Sequence, residues 1–217
     1  MADIDNEPAQ YASPPCFMHE LDPAFQAPQT EWTDVRRWRK AERERLIQAR
    51  LAVSADARAA MAARIADGLD AVIGDVAGKT VSLYWPFRGE PDMRPWMERV
   101  NARGGRTALP IVVEKGKPLI FRAWKHGEPL EKGVWNIPVP AKGDPVLPDI
   151  VVSPVVGVDP NRYRLGYGGG FYDRTLAAMP RKPLIVGIGY ELQRIPTIYA
   201  QAHDIPMDVV VTEACTG

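Results

Sequence analysis

The amino-acid sequence predicts an α/β fold in which a largely parallel sheet is covered by helices. Short apolar segments rich in β-branched residues occur at 149–153, 184–188 and 208–212, and such segments are typical of strands that are buried on both faces. Segments with apolar residues at helical spacing alternate with strand-like segments along the chain. This alternation favours a parallel sheet with helices packed on its faces.

Two helices are predicted at the start of this region. Residues 32–51 have the pattern of a strongly basic helix. Ser54 is a suitable N-cap for a second helix, because its hydroxyl can accept a hydrogen bond from a free N–H of the first turn. Gly74 and Gly78 are predicted to end that helix. Its apolar face is formed by Met61, Ile65, Leu69 and Val72.

A strand is predicted at 79–84, followed by a third helix with Pro91 in its first turn. Gly104 and Gly105 stop that helix. Its apolar residues, which occur at helical spacing, are Met93, Trp96, Met97 and Val100.

The next strands are predicted at 107–109 and 117–124, and the proline-rich stretch up to Pro148 is predicted to be irregular. After the strand at 149–153 a loop leads to a glycine-rich run, and a helix is expected from there to Met179. In open α/β sheets the ligand crevice lies at the carboxyl ends of the strands. The glycine-rich run is therefore near the expected position of a ligand.

The composition is that of a soluble globular protein. The chain has 217 residues, of which 46% are hydrophobic and 25% are charged, and its 27 Lys and Arg balance 27 Asp and Glu. A balanced charge gives no basic surface of the kind that nucleic-acid binding requires. No stretch approaches 18 uncharged apolar residues, so no membrane span is expected. The sequence thus predicts neither a nucleic-acid nor a membrane partner. We expect the protein to be a monomer or a weak homodimer.

The two cysteines, Cys16 and Cys215, have no CxxC spacing and are far apart in the sequence. They predict neither a disulfide framework nor a zinc site, and they fit a reducing compartment. The N-terminus also lacks the layout of a secretory signal. We therefore expect a cytoplasmic protein. Residues 1–31 are predicted to be an extended arm along the surface, with an active-site cover or an oligomer contact as alternatives, and 32–217 a single domain.

The run from Arg164 to Arg174 has the sequence RLGYGGGFYDR. Its four glycines can adopt positive φ and let backbone N–H groups approach a phosphate closely, with a helix N-terminus behind them. Asp173 is placed to hold a divalent cation against the same oxygens. The run matches neither the dinucleotide fingerprint, because Phe171 replaces the third glycine, nor a Walker loop, which needs Gly-Lys-Ser/Thr. Close packing of a helix on the sheet is the alternative explanation of the glycines.

Other candidates need a tertiary structure to bring them to the run. Arg39 and Arg43 share one helix face, with Lys40 beside them, and either a solvated face or a phosphate contact would explain them. Asp204 is a second carboxylate, although aspartate is also common in turns. Trp135 is either part of the core or a flat platform for a ring system.

Together these motifs resemble the 5-formyltetrahydrofolate cyclo-ligase family from about Arg36 to Glu213. The glycine-rich run matches the phosphate loop of that family almost residue for residue. The supporting matches are Tyr84-x-Pro86 with Glu90, Leu109-Pro110, Trp135-Asn-Ile-Pro138, and the segment from Asp204 to Thr212. The resemblance implies a three-layer fold similar to that of the sugar-phosphate isomerase and CoA-transferase group.

The resemblance also implies a reaction, in which ATP and Mg²⁺ drive closure of 5-formyltetrahydrofolate to 5,10-methenyltetrahydrofolate, with release of ADP and phosphate. It implies catalytic roles for Arg164, Tyr172 and Arg43, metal binding by Asp173 and Asp204, and contacts with the reduced folate by Tyr84, Glu90, Trp135 and Tyr172. The residues that it assigns to ATP are Arg39, Lys40, Arg43, Arg164, Leu165, Gly166, Tyr167, Gly168, Gly169, Gly170, Phe171 and Tyr172.

Three positions depart from the family pattern. Arg39 stands where a lysine is usual, with Lys40 one residue away; Val139 replaces a glutamate of many bacterial members; and Phe171 replaces a tyrosine of some members. Two alternatives to the folate reaction remain. Val139 and the N-terminal arm favour an ATP-dependent enzyme that acts on another formamide, such as a thiamin-pathway intermediate. The other alternative is a non-catalytic nucleotide- or folate-binding regulator.

Overall fold

The computed structural model describes residues 32–214. The helices are α1 (Trp32–Ala52), α2 (Ala55–Ile73), α3 (Arg94–Ala102) and α4 (Phe171–Ala178), with short 3-10 turns at Val134–Asn136 and Glu191–Gln193. The strands are β1 (Thr80–Ser82), β2 (Arg106–Ile111), β3 (Ile120–Ala123), β4 (Leu130–Lys132), β5 (Pro138–Pro140), β6 (Pro145–Val146), β7 (Ile150–Pro154), β8 (Gly157–Val158), β9 (Arg164–Leu165), β10 (Leu184–Ile188) and β11 (Val209–Val211).

Seven strands form one sheet in the order β11-β10-β7-β1-β2-β3-β6. The first five are parallel, while β3 is antiparallel to β2 and β6 is antiparallel to β3. The predicted, largely parallel sheet is confirmed. Because β7 and β1 are neighbours, the segments that follow their carboxyl ends lie side by side. Those segments contain the glycine-rich run and Glu90.

Both faces of the sheet are covered, which confirms three layers. Alternate residues of β7 point to opposite faces: Ile150 and Val152 pack with α2 and α3, while Val151 packs on the other side with Leu176 of α4. These strands are buried on both faces, so they carry apolar residues at every position rather than at every second one.

Helix α1 packs outside these layers. Its Leu46 and Ile47 lie against Val156, Leu165 and Ile198, which belong to or flank the β8–β9 hairpin. The apolar spacing of α1 therefore directs one face onto the hairpin that leads into the glycine-rich run. This contact brings the basic residues of α1 to the run.

The second helix starts and ends where the sequence predicts. The hydroxyl of Ser54 accepts a hydrogen bond from the N–H of Ala57 at 3.2 Å, and Gly74, at φ +65°, follows the last helical residue.

The predicted start of the third helix is wrong. The helix begins at Arg94, and Pro95 rather than Pro91 lies in its first turn. Pro91 is buried in the preceding turn, where its carbonyl accepts a hydrogen bond from the hydroxyl of Tyr84 at 2.7 Å.

The prediction of an irregular stretch up to Pro148 is also wrong in part. This stretch contains the β4–β5 hairpin and the edge strand β6. Prolines obscured these elements in the sequence, because proline is tolerated in strands only where its missing N–H is not needed by a neighbour. The loop predicted before the glycine-rich run likewise contains the β8–β9 hairpin.

The predicted arm, with Cys16, lies outside the described residues, as does Cys215. Within residues 32–214, no helix combines the length and apolar character that crossing a bilayer requires.

Candidate functional site

The glycine loop, residues 166–170, connects β9 directly to the N-terminus of α4. Gly168 has φ +91° and Gly170 has φ +61°, conformations that L side chains rarely adopt. No acceptor within residues 32–214 takes a hydrogen bond from the N–H of Gly168, Gly169 or Gly170. Gly168 and Gly169 are also exposed. The loop thus presents free N–H groups at a helix N-terminus, which is a site suited to an anion.

Arg43 of α1 lies directly against this loop. Its Nε donates to the carbonyl of Gly166 at 2.6 Å, and a Cβ placed on Gly168 would lie 3.3 Å from its Nη2. Partial burial, with a smaller effect of nearby Arg39, lowers the pKa of Arg43 from its ordinary value, and the guanidinium remains a cation at neutral pH. Its Nη groups donate to no other residue of the described chain, so they are free to bind an anion on the loop.

Arg39 lies one helical turn away and is already engaged. Its Nη2 donates to Oδ2 of Asp204 at 2.6 Å, and its Nε donates to the carbonyl of Ile198 at 2.9 Å. Burial raises the pKa of Asp204, but hydrogen bonds from Arg39 and from the N–H of Gln201 outweigh it and bring the pKa below its usual value. Lys40 is exposed and takes no part in these contacts. Of the three basic candidates, Arg43 is the one that contacts the glycine loop.

Asp173, in the first turn of α4, forms a buried ion pair with Arg164. Nη2 of Arg164 donates to Oδ1 of Asp173 at 2.5 Å, and the Arg164 side chain is only 3% exposed. The same Oδ1 accepts from the N–H of Ile205 at 3.1 Å. Because Ile205 follows Asp204, the fold brings the backbone next to Asp204 against the Asp173 carboxylate.

The carboxylates in this region could hold a magnesium ion only if a bound phosphate supplied most of the coordinating oxygens. Within residues 32–214 there is no group of three or more His, Cys, Asp and Glu side chains that could hold a metal. The two oxygens of Asp204 face Arg39, whereas Oδ2 of Asp173 accepts no hydrogen bond from the described residues. Magnesium is commonly held by one or two carboxylates together with phosphate oxygens, so Asp173 beside the glycine loop fits that role.

Glu90 is held beside the same loop from two directions. Its Oε2 accepts from the N–H of Phe87 at 2.9 Å, and its Oε1 accepts from the hydroxyl of Tyr167 at 2.9 Å. Burial raises the pKa of Glu90 to about 7, against the lowering effects of Arg50 and of these two hydrogen bonds. A buried carboxyl with such a pKa is typical of a functional site rather than of a structural ion pair.

This pKa predicts how stability depends on pH. Because the folded state holds the Glu90 proton more tightly than the unfolded chain does, its contribution to stability is complete below pH ~4.5 and is lost as the pH rises through about 7. We expect Glu90→Gln to remove most of this loss, which amounts to about 3 kcal/mol between pH 4 and pH 8. Urea unfolding at pH ~4 and pH ~8 measures the free energy of unfolding of the wild type and of Glu90→Gln. The exposed Glu114→Gln should leave the wild-type pH dependence intact; an equally steep loss in Glu90→Gln would contradict the assignment.

Tyr172 and Trp135 border the loop on the side of α4. The hydroxyl of Tyr172 is buried with no hydrogen-bond partner among the described residues, and its ring lies 5.6 Å from the Arg164 guanidinium. Trp135 is 61% exposed, and its ring lies 6.0 Å from that of Phe171 in an edge arrangement. This exposure excludes the core role considered for Trp135 and fits a platform. Tyr84 is buried nearby and bonds to Pro91.

Two further residues of this region do not follow from the sequence reasoning. Arg50 is fully buried and donates to the hydroxyl of Tyr167 at 2.8 Å. Tyr190, which follows β10, is fully buried, and its hydroxyl has no hydrogen-bond partner among residues 32–214. The sequence does contain an indication for Arg50. It follows Leu46 and Ile47 at helical spacing, on the apolar face of α1, and a charged residue is rarely buried there unless it has a polar partner.

Comparison with known sequences identifies the family. The sequence model of the 5-formyltetrahydrofolate cyclo-ligase family matches residues 35–213. The chain is 34% identical to 5-formyltetrahydrofolate cyclo-ligase from Escherichia coli K12 over 145 residues, which is 63% of this chain and 79% of that protein. It is 31% identical to the Haemophilus influenzae protein of the same name over 143 residues, 61% of this chain and 75% of that protein.

Solved structures agree as well. The NMR structure of Aquifex aeolicus 5,10-methenyltetrahydrofolate synthetase superposes with a TM-score of 0.72 and 29% identity, over 82% of this chain and 91% of that one. The Mycoplasma pneumoniae 5,10-methenyltetrahydrofolate synthetase has the same fold, with a TM-score of 0.67 and 24% identity over 81% of this chain and 98% of that one. The chain belongs to the 5-formyltetrahydrofolate cyclo-ligase family and is a ligase.

Proposed function

We propose that this enzyme uses ATP to convert 5-formyltetrahydrofolate to 5,10-methenyltetrahydrofolate, releasing ADP and phosphate. The observation that carries the proposal is the Arg43 guanidinium held against a glycine loop whose N–H groups, at the N-terminus of α4, have no acceptor among residues 32–214. The names of the relatives support a reduced folate as the substrate. The proposal places the protein in the cytoplasm, where the two isolated cysteines of the sequence would stay reduced.

In the proposed reaction, the γ-phosphoryl group of ATP moves to the formyl oxygen of the substrate. N10 then attacks the formyl carbon, a C–N bond forms, and the C–O bond to phosphate breaks as N10 loses its proton. Transfer of a phosphoryl group between anions needs charge neutralisation and alignment more than it needs a nucleophilic side chain. Arg43 and the loop N–H groups would provide this charge neutralisation and alignment together. Arg39 and Lys40 lie on the same helix near Arg43. Arg39 is held in place by its ion pair with Asp204, and Lys40 is exposed.

Asp173 is the side chain that we assign to magnesium, with the phosphate oxygens completing the shell. A bound magnesium ion would neutralise charge on the transferring phosphoryl group. Arg164 orients Asp173 through the buried ion pair. Asp204 lies beside it, and its pairing with Arg39 would have to loosen for it to join the same shell.

The folate side of the site is assigned to residues on the other flank of the loop. Ionised Glu90 would accept hydrogen bonds from N–H groups of the pterin, as the carboxylate has two acceptor oxygens. Trp135 offers an exposed ring face for stacking. The buried hydroxyl of Tyr172 lacks a partner among residues 32–214 and would donate to the formyl region. Tyr84, whose hydroxyl is bonded to Pro91, would support this side of the folate site.

A direct assay tests the proposal. We expect the purified protein, incubated with 5-formyltetrahydrofolate, ATP and Mg²⁺, to raise the absorbance band of the methenyl product and to release phosphate in equal amount. Omitting ATP, or removing divalent cations with a chelator, should abolish the rise. No product at high enzyme concentration would refute the folate reaction. ATP-dependent phosphate release with a different formamide would then support the alternative substrate, and ATP binding without turnover the regulator.

A further inference from the structure

We propose that Arg50 and Tyr167 are positioning residues that couple the glycine loop to Glu90, so that nucleotide binding tightens the substrate site. This inference rests on the proposed function, since it takes the loop as the nucleotide site and Glu90 as a contact with folate. Arg50 touches neither ligand in this scheme. Its role is exerted through Tyr167.

The connection is a continuous chain of short hydrogen bonds. Nη2 of Arg50 donates to the Tyr167 hydroxyl at 2.8 Å, and that hydroxyl donates its one proton to Oε1 of Glu90 at 2.9 Å. Arg50 itself is anchored to two other segments, because Nε donates to the carbonyl of Arg88 at 2.9 Å and Nη1 to that of Val155 at 3.3 Å. The hydroxyl of Tyr167 thus has a fixed donor on one side and the carboxylate on the other.

Tyr167 is a member of the glycine loop. It lies between Gly166, whose carbonyl accepts from Arg43, and Gly168, whose N–H is free of acceptors within the described residues. A phosphate bound by these N–H groups and by Arg43 would hold the loop in this conformation, and with it the Tyr167 hydroxyl. A ligand shifts an equilibrium only by its differential affinity for two states, and the glycines give the loop access to other conformations.

The ionisation state of Glu90 depends on the same hydrogen-bonded residues. The groups that face its carboxyl are Arg50 from α1, Tyr167 from the glycine loop, the Phe87 N–H, and the buried phenols Tyr84, Tyr172 and Tyr190. Within residues 32–214 Arg50 forms no ion pair with a carboxylate; its charge favours the ionised form of Glu90 through space, and its hydrogen bond holds the Tyr167 hydroxyl against Oε1 of Glu90. Removing that hydroxyl takes one stabilising contact from the ionised form and leaves the burial that raises its pKa.

The test compares ligand affinities rather than rates. Calorimetric titration measures the Kd of 5-formyltetrahydrofolate with and without saturating Mg²⁺ and a non-hydrolysable ATP analogue. We expect the analogue to tighten wild-type binding about 5- to 50-fold and to tighten Tyr167→Phe by less than about 2-fold. Tyr163→Phe, a neighbouring tyrosine whose hydroxyl bonds to no described residue, should retain the wild-type factor. In Tyr167→Phe the pH at which substrate affinity is half lost should also move upward, which a purely structural defect would not produce.

Arg50→Lys provides a second variant, because it keeps the positive charge and loses the planar guanidinium, which donates to Arg88, Val155 and Tyr167 at the same time. We expect it to show a reduced coupling factor with a smaller change in the pH midpoint than Tyr167→Phe. An unchanged coupling factor in Tyr167→Phe, or no coupling in the wild type, overturns the inference while the ring-closing reaction stands. Failure of the wild type to bind either ligand refutes the proposed function, and the inference with it.

Discussion

Arg43→Met is expected to lower kcat/KM for ATP by about 10²- to 10³-fold, the effect of removing one preorganised donor from a site of charge development. Arg43 contacts the glycine loop, and its Nη groups donate to no residue of the described part of the chain. The substitution removes a half-buried cation whose pKa is lowered by that burial, so the fold should tolerate it. Steady-state kinetics over a range of ATP concentrations measure the loss, and thermal unfolding checks the fold.

Two matched variants on the same helix sharpen this result. Arg36→Met removes an exposed cation with no contact to the loop, and should leave kcat/KM within about twofold of the wild type. Lys40→Met addresses the alternative left open by the sequence, in which Lys40 rather than Arg43 binds phosphate. A large loss in Lys40→Met combined with a small one in Arg43→Met would contradict our assignment.

Gly168→Val is expected to weaken ATP binding by about 100-fold. At φ +91° a β-branched residue strains the backbone, and its Cβ would lie 3.3 Å from Nη2 of Arg43. Losing two charge-assisted hydrogen bonds to phosphate costs about 3 kcal/mol, which is the stated 100-fold in Kd. Equilibrium binding of a labelled ATP analogue measures this loss separately from any change in rate.

Gly116→Val is the control for backbone strain alone. Gly116 lies in the turn between β2 and β3 at φ +82°, far from the loop in the sequence, and the space that a Cβ would occupy there is open. The substitution should lower the unfolding temperature by an amount similar to that for Gly168→Val and leave the ATP affinity unchanged. If both variants lose ATP affinity equally, global destabilisation rather than the loop explains the effect.

Much of the fold follows from local features of the sequence. Ser54 starts α2 and Gly74 ends it, because a hydroxyl cap and a positive φ are local requirements. The central strands follow from apolar runs such as 150–154, since burial on both faces leaves a continuous signature. The start of α3 could not be predicted in this way. Both Pro91 and Pro95 satisfy the first-turn rule, and the bond from Tyr84 to the carbonyl of Pro91 decided between them.

The candidate site also has a part that follows from the sequence and a part that follows only from the tertiary structure. The sequence alone determined the glycine run, the nearby carboxylates and the family resemblance, because a glycine-rich loop is a local backbone property carried by consecutive residues. It left open which of Arg39, Lys40 and Arg43 closes over the loop. Only the tertiary structure shows that Arg43 is the one of the three that contacts it, because α1 packs on the β8–β9 hairpin so that Arg43 faces Gly168. The Arg50–Tyr167–Glu90 chain joins three segments distant in sequence, and its bonds depend on distances that no local pattern encodes.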